Sequence, residues 1–400
     1  MASLSERSEV KRYEQNKKRK KIVKMGAVFG TAIVIVACVL FYVLFQMNRT
    51  YAGYSVIEEL KRKDGISVQY EIHGDTLLKY SKDGASALKT DGEILWNASY
   101  DFKNPYAVTC GNYTAIADIG GKSIYVFDGT GAGTELSVDG AIEQITVANQ
   151  GVVAAVLENN DQAKINIYDP YDATEQLKVS ISTSTDSDGY PVAIALSEDG
   201  QKLITSYINI KNGVVSSSLN FYNFDSVGKN DVDRLVGIEP MEQEIVADVQ
   251  FVNSEIVCAF MQNGFELYRM KETPGEIAEI SVEKNIKSIC YNEKYITLVL
   301  DNNENTKNPY LVQVYNTSGK LVLEKAVPYS YNTVEMGKEE VIFYSSSECH
   351  ILRLRGSEKL DCTFDENVSY FFPLSASEKY ILIDSDAIQQ VRLTGRKKEE

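Results

Sequence analysis

The sequence predicts an all-β chain, a β-propeller of eight blades with seven as the alternative, preceded by one N-terminal transmembrane α-helix. Three observations predict it. Met25–Phe45 runs for 21 residues without a charged side chain. From Ile66 onward, short alternating runs of Val, Ile, Tyr and Phe break at Asp-Gly, Asn-Gly and Ser-Gly turns, the pattern of successive hairpins. Within that region a strand-and-turn unit recurs with a period near 40 residues.

At about 1.5 Å per helical residue the apolar stretch covers about 31 Å, matching a hydrocarbon core of roughly 30 Å. It is apolar on every face and bounded abruptly by Lys24 and Gln46, unlike a core helix with a polar outer side. It also exceeds the apolar core of a cleaved leader, which runs about 7 to 15 residues, so an uncleaved signal-anchor is expected. Nine Lys or Arg precede the span, against four (Arg49, Lys61, Arg62 and Lys63) in the 20 residues after it. The positive-inside rule then puts the N-terminus in the cytoplasm and the large C-terminal body outside.

The expected organisation is a cytoplasmic basic tail (1–24), a membrane span (25–45), a juxtamembrane linker (46–65), an extracytoplasmic propeller (66–396) and a charged end (397–400). Lys17, Lys18, Arg19, Lys20, Lys21 and Lys24 are expected on anionic headgroups, each contributing about 1 kcal/mol. Gly26 and Gly30 form a small-x3-small pair suited to a partner helix.

Past residue 46 the chain holds 32 Lys and Arg against 53 Asp and Glu, a net charge of -21. That argues against nucleic acid as a partner and favours cations or basic proteins. Cys110, Cys258, Cys290, Cys349 and Cys362 are odd in number, without CxxC or Cys/His ligand spacing. They read as buried strand positions, with Cys349 and Cys362 able to meet across neighbouring strands. The sequons at Asn48, Asn97, Asn112, Asn316 and Asn367 matter only in a eukaryotic secretory route.

The recurring unit is marked by Leu88, Phe127, Tyr168, Tyr222, Tyr268, Tyr315, Leu354 and Leu393, spaced 39, 41, 54, 46, 47, 39 and 39 residues apart. Four short strands with turns need about 40 residues, and radial stacking buries both faces of each sheet. One hairpin before each mark lies a second recurring apolar run, such as EIVCAFMQNG (Glu255–Gly264) and KYITLVLDNN (Lys294–Asn303). The last unit ends without an outer strand, and ISVQYEI (Ile66–Ile72) is expected to supply it, closing the ring with both termini.

LSEDGQKL (Leu196–Leu203) resembles a hairpin of WD40-like propellers, and DGEILW (Asp91–Trp96) an outer hairpin of quinoprotein-like ones. Together with the basic tail and the span, LLKYSKDG (Leu77–Gly84), NPYAVTCGNYTAIAD (Asn104–Asp118), GYPVAIALSEDGQKLITSY (Gly189–Tyr207) and FYNFDSVG (Phe221–Gly228) look like a family of single-pass membrane proteins from Clostridium-type Gram-positive bacteria. The resemblance spans nearly the whole chain. It implies the topology and the propeller fold, and carries no activity or site residue across.

The search for chemistry yields little. His73 and His350 are the two histidines, each without a Ser/Asp or metal-ligand pattern, and surface or turn roles are expected for both. Gly129-Thr-Gly-Ala-Gly133 lacks the Lys-Ser/Thr ending and following helix of a phosphate loop. A single Trp, Trp96, speaks against a quinone-dependent enzyme and is expected between blades. Asp186-Ser-Asp188 and Asp384-Ser-Asp386 alternate oxygen ligands but lack the later bidentate acid of a calcium loop.

No catalytic residue, metal site or cofactor is therefore expected. The loop Asp186, Asp188 and Tyr190 is the candidate contact surface. The function expected is a membrane-tethered interaction or scaffold module for an envelope or membrane partner. The alternative is an envelope enzyme, acting on glycans or peptides, that uses carboxylates on one propeller face.

Overall fold

The computed structural model describes residues 4–65, 67–131, 133–159, 162–185, 188–211, 213–242, 244–376 and 378–395. The chain divides into two units, Met1–Thr50 and Tyr51–Glu400. In the first, one α-helix runs from Leu4 to Met47, so the basic tail and the apolar stretch share one helix. Its Lys24–Tyr42 segment, of mean hydropathy 2.3, is long and apolar enough to cross a membrane. Around Gly26 and Gly30 that helix is open, with nothing beyond its own backbone within 4 Å of where a Cβ would stand.

The second unit is a propeller of eight four-stranded antiparallel sheets. Blades 1 to 8 begin with the strands Gln69–His73, Pro105–Cys110, Ala141–Val147, Tyr190–Leu196, Val246–Phe251, Ile286–Tyr291, Thr333–Met336 and Val368–Pro373. Contacts between neighbouring blades through these first strands put them innermost, around the central channel. Second strands are the driest, because sheets cover them on both faces: in Ile256–Met261 all six residues are buried. Core clusters accordingly join neighbours, as where Ala115, Ile124 and Leu136 of blade 2 pack with Ile142, Val153 and Ala155 of blade 3. Each fully buried Val, Leu or Ile there contributes about 1.5 to 3 kcal/mol.

The recurring sequence marks fall in or just after the third strand of every blade: Phe127 closes Ser123–Phe127, Tyr268 lies in Gly264–Met270, and Leu354 follows Glu348–Arg353. The earlier apolar runs are the second strands, such as Ile256–Met261 and Tyr295–Asp301. Trp96 lies between blades as expected, stacked on Phe127 with ring centroids 4.1 Å apart. Cys258, Cys290, Cys349 and Cys362 are buried, and Cys349 stands directly opposite Cys362 across adjacent strands.

Ring closure corrects one expectation. The last blade does take its outer strand from the N-terminal side, but the strand is Gly53–Lys61, paired antiparallel with Ala387–Thr394. ISVQYEI instead leads into the innermost strand of blade 1. The segment read as a linker (46–65) therefore holds a propeller strand, and the ring begins near Tyr51, whose N–H donates to the Lys359 carbonyl at 2.8 Å.

Neighbouring blades are also tied through turns between first and second strands. Asn253 Nδ2 donates to the Glu293 carbonyl at 3.1 Å, and Asn292 Nδ2 to the Gly337 carbonyl at 2.7 Å. In both turns the Asn Oδ1 accepts N–H groups of its own loop, so one side chain shapes the turn and reaches the next blade.

Candidate site on the channel wall

Charge on the eight innermost strands is one-sided. Glu71, Glu143, Asp248 and Glu335 come from blades 1, 3, 5 and 7, against a single lysine, Lys287, which pairs with Asp301 at 3.0 Å. Five of these strands carry a register shift, the one in blade 5 falling between Val246 and Asp248. A bulge inserts one residue and re-aims the next side chain. Ala247, the inserted residue, is exposed, while Val246 and Val249 on either side are buried in the core.

Tyrosines gather between the acids. Burial raises the Tyr106 phenol, and the charges of Glu71 and Asp248 raise it further. Tyr291 of blade 6 is raised in the same way, first by burial and then by Asp248. Its side chain keeps 38% of its accessible surface, as expected of a group that lines a channel yet is surrounded by protein. The Tyr80 hydroxyl lies 3.1 Å from Glu71 Oε1.

Asp248, Glu71 and Glu335 are held above their ordinary range. Asp248 is pushed up by burial, partly offset by hydrogen bonds from Gln250 Nε2 and the Val249 N–H. For Glu71 burial likewise outweighs the Tyr80 hydrogen bond. Glu335, with burial as the cause, is pushed up to about 7. The imidazole of His73, at the end of the blade 1 innermost strand, is lowered by burial, which favours its neutral form.

Glu335 gives a pH dependence with a definite sign. Folded chain keeps this proton up to about pH 7, whereas an unfolded glutamate releases it near 4.5. Between those values the folded state binds more protons, so stability is full below the lower one and declines as pH rises through the upper one. The contribution is at most about 1.4 kcal/mol per pH unit. Urea unfolding at about pH 5 and about pH 8 should show a smaller loss in Glu335→Gln than in the parent; equal losses would refute the assignment.

Between blades 5 and 6 the wall opens into a cavity of ≈ 450 Å³, lined by Ile245, Ala247, Asp248, Phe260, Met261, Gln262, Ile289 and Tyr291. Its surface is mostly apolar, with Asp248 as the one carboxylate, and the Phe260 and Tyr291 rings lie 5.6 Å apart. Among the described residues no group of three or more His, Cys, Asp or Glu is arranged to hold a metal.

The loop Asp186, Asp188 and Tyr190 belongs only in part to this wall. Asp186 lies outside the described residues. The Asp188 carboxylate accepts the Ser184 N–H at 2.9 Å, while its own N–H donates to the Ser184 carbonyl at 2.8 Å, so it closes its own turn. Tyr190 opens the innermost strand of blade 4, where burial and then Glu143 raise its phenol. Of the two described residues, Asp188 and Tyr190, only Tyr190 lies on an innermost strand. The Asp384 carboxylate likewise closes a turn, accepting the N–H groups of Asp386 and Ala387 at 2.7 Å each. His350, expected at the surface or in a turn, is largely buried and stacks on Tyr329 at 4.4 Å.

With this architecture in place, comparison with known proteins is informative about the family. A model of the family of unknown function DUF5711 matches residues 47–393. The chain belongs to this family. The matched region starts just before the closing strand, so it takes in the whole ring. No curated protein matches the chain.

Among solved structures, the chain is similar to a eukaryotic initiation factor, at 14% identity over 87% of this chain and 89% of that one, with a TM-score of 0.55. It is similar to BamB from Moraxella catarrhalis, at 10% identity, 86% and 99% coverage and a TM-score of 0.52. A third is Chaetomium thermophilum Sqt1, solved bound to the N-terminus of ribosomal protein L10, at 12% identity, 85% and 100% coverage and a TM-score of 0.50. At such identities the likeness shows the propeller fold alone.

Proposed function

We propose that the chain is a membrane-tethered interaction module whose propeller, outside the cytoplasm, receives a basic envelope or membrane partner at its channel wall. The observation that carries this reading is the imbalance of the innermost strands: four acids on alternate blades against one lysine that is already paired. Half-buried carboxyl groups with apolar and tyrosine surface between them favour a cationic partner, which would complete their charge balance, over an anionic one. The rigid ring supports the same reading, since blade cores hold the wall in place and leave loops on both faces free to vary.

The tether rests on the apolar helix segment and on the nine basic residues before Met25, which favour a cytoplasmic N-terminus and anionic headgroups around Lys17, Lys18, Arg19, Lys20, Lys21 and Lys24. Gly26 and Gly30 offer a place for a second helix, which would bring the partner's own span alongside.

Crosslinking in intact cells tests the proposal. The full chain should recover a partner above a control that keeps the helix and carries an unrelated soluble domain. Recovery at the control level would contradict the interaction role.

A further inference from the structure

We propose that the cavity between blades 5 and 6 receives a lysine or arginine side chain of a partner polypeptide. Its cation would be held by the Asp248 carboxylate beside the Tyr291 ring, and its aliphatic stem by Ile245, Phe260, Met261 and Ile289. The proposal rests on the interaction reading above and specifies the chemistry at that surface.

Size and composition both fit. The cavity, at ≈ 450 Å³, is in the range of ligand sites and holds more than a solvated ion. A metal ion would want several oxygen ligands, whereas this wall offers one carboxylate in apolar surroundings. A long basic side chain presents the matching surface, with methylenes along the stem and charge at the tip.

Asp248 is prepared for such a guest. Its Oδ1 accepts the Val249 N–H at 2.8 Å, and Gln250 Nε2 lies 3.2 Å from each carboxylate oxygen. These neutral donors orient the group without neutralising it, and a cation would complete its charge balance in a partly desolvated site. The exposed part of Tyr291 gives the cation an aromatic face as a second partner.

A polypeptide is favoured over a free amine because Glu71, Glu143 and Glu335 lie on the same ring of innermost strands. One small amine answers one carboxylate. A basic segment carries several linked cations, so later contacts form at a high effective concentration.

Calorimetric titration of the full chain in nonionic detergent provides the test, using a blocked pentapeptide with two lysines, its norleucine counterpart and free 1,5-diaminopentane. The lysine peptide should bind saturably, the norleucine peptide should not, and the diamine should bind more weakly than the lysine peptide. Asp248→Asn should weaken the lysine peptide at least about tenfold, and Tyr291→Leu about threefold. Glu304→Gln, at an exposed loop carboxylate, should leave binding unchanged. If Asn at position 248 disturbs folding, Ala247→Lys serves instead, since a tethered ammonium at the cavity mouth should abolish peptide binding.

Equal binding of the norleucine peptide, or binding indifferent to both the 248 and 247 variants, would overturn the assignment. Diamine binding as tight as the peptide would overturn the polypeptide as the guest. Crosslinking in cells separates the two levels. A partner recovered equally by the parent and Asp248→Asn leaves the interaction role standing and removes the cavity from it.

Discussion

A chain that starts at Ile66 is expected to lose the stable ring, whereas one that starts at Tyr51 keeps it. The first lacks Gly53–Lys61, and with it eight register partners along Ala387–Thr394. It also lacks Tyr51, which is 4% exposed in the core shared by blades 7 and 8. Deleting a buried aromatic costs about 3 to 5 kcal/mol, and each strand hydrogen bond lost costs about 1 kcal/mol net. The sum, on the order of 10 kcal/mol, rivals the whole stability of a typical domain, about 5 to 15 kcal/mol.

The truncated chain would also expose the edge of Ala387–Thr394, an invitation to intermolecular pairing. Thermal unfolding and protease resistance of the two fragments decide the matter. An Ile66 fragment that melts cooperatively within a few degrees of the Tyr51 fragment would refute the closure.

The second large effect is expected at Glu340. Lys359 Nζ lies 2.7 Å from Glu340 Oε2 and 2.9 Å from the Tyr380 hydroxyl, which in turn donates to Glu340 Oε1 at 2.5 Å. The side chains of Lys359 and Glu340 are only 9% and 14% exposed. Glu340 and Lys359 belong to the second and outer strands of blade 7 and Tyr380 to the second strand of blade 8, so the network crosses a blade boundary.

Glu340→Ala strands a buried ammonium and should cost about 3 to 5 kcal/mol. Glu340→Leu combined with Lys359→Met removes both charges and should recover part of that loss, the rest going to the buried Tyr380 hydroxyl left without its partners. Urea unfolding of the single and double variants checks both statements. A single variant within about 1 kcal/mol of the parent would show that the ammonium finds another partner.

How much of this was legible in the sequence follows from what each strand touches. Second and third strands are buried on both faces, so they write themselves as apolar runs ending in Tyr, Phe or Leu, and Tyr168, Tyr222, Tyr268 and Tyr315 could be aligned by eye. The closing strand was not legible. Gly53–Lys61 pairs with one neighbour and is mostly exposed, so GYSVIEELK carries charges where alternation would have announced a strand. ISVQYEI alternates cleanly because it leads into an innermost strand with buried neighbours, and so looks more like a strand than the true closing segment does.

The site was hidden for a different reason. Among 53 acids past residue 46, Glu71, Glu143, Asp248 and Glu335 have no distinguishing spacing. They stand out only when each is placed on the innermost strand of its blade. A signal was present in retrospect: VADVQF and TVEM each set one carboxylate in an otherwise uncharged strand. Asp188 stands in an alternating Asp-Ser-Asp run that looks like ligand spacing, and the turn it closes explains its carboxylate.

The most direct test of the channel wall as the contact surface is site-specific photo-crosslinking in intact cells. One full chain carries p-benzoylphenylalanine at Ala247, beside the cavity, and a second carries it at Ile238, which is 56% exposed on the outer strand of blade 4. The expected result is a single partner adduct from position 247 and none from position 238. The same adduct from both positions, or from position 238 alone, would contradict the channel wall as the site of interaction.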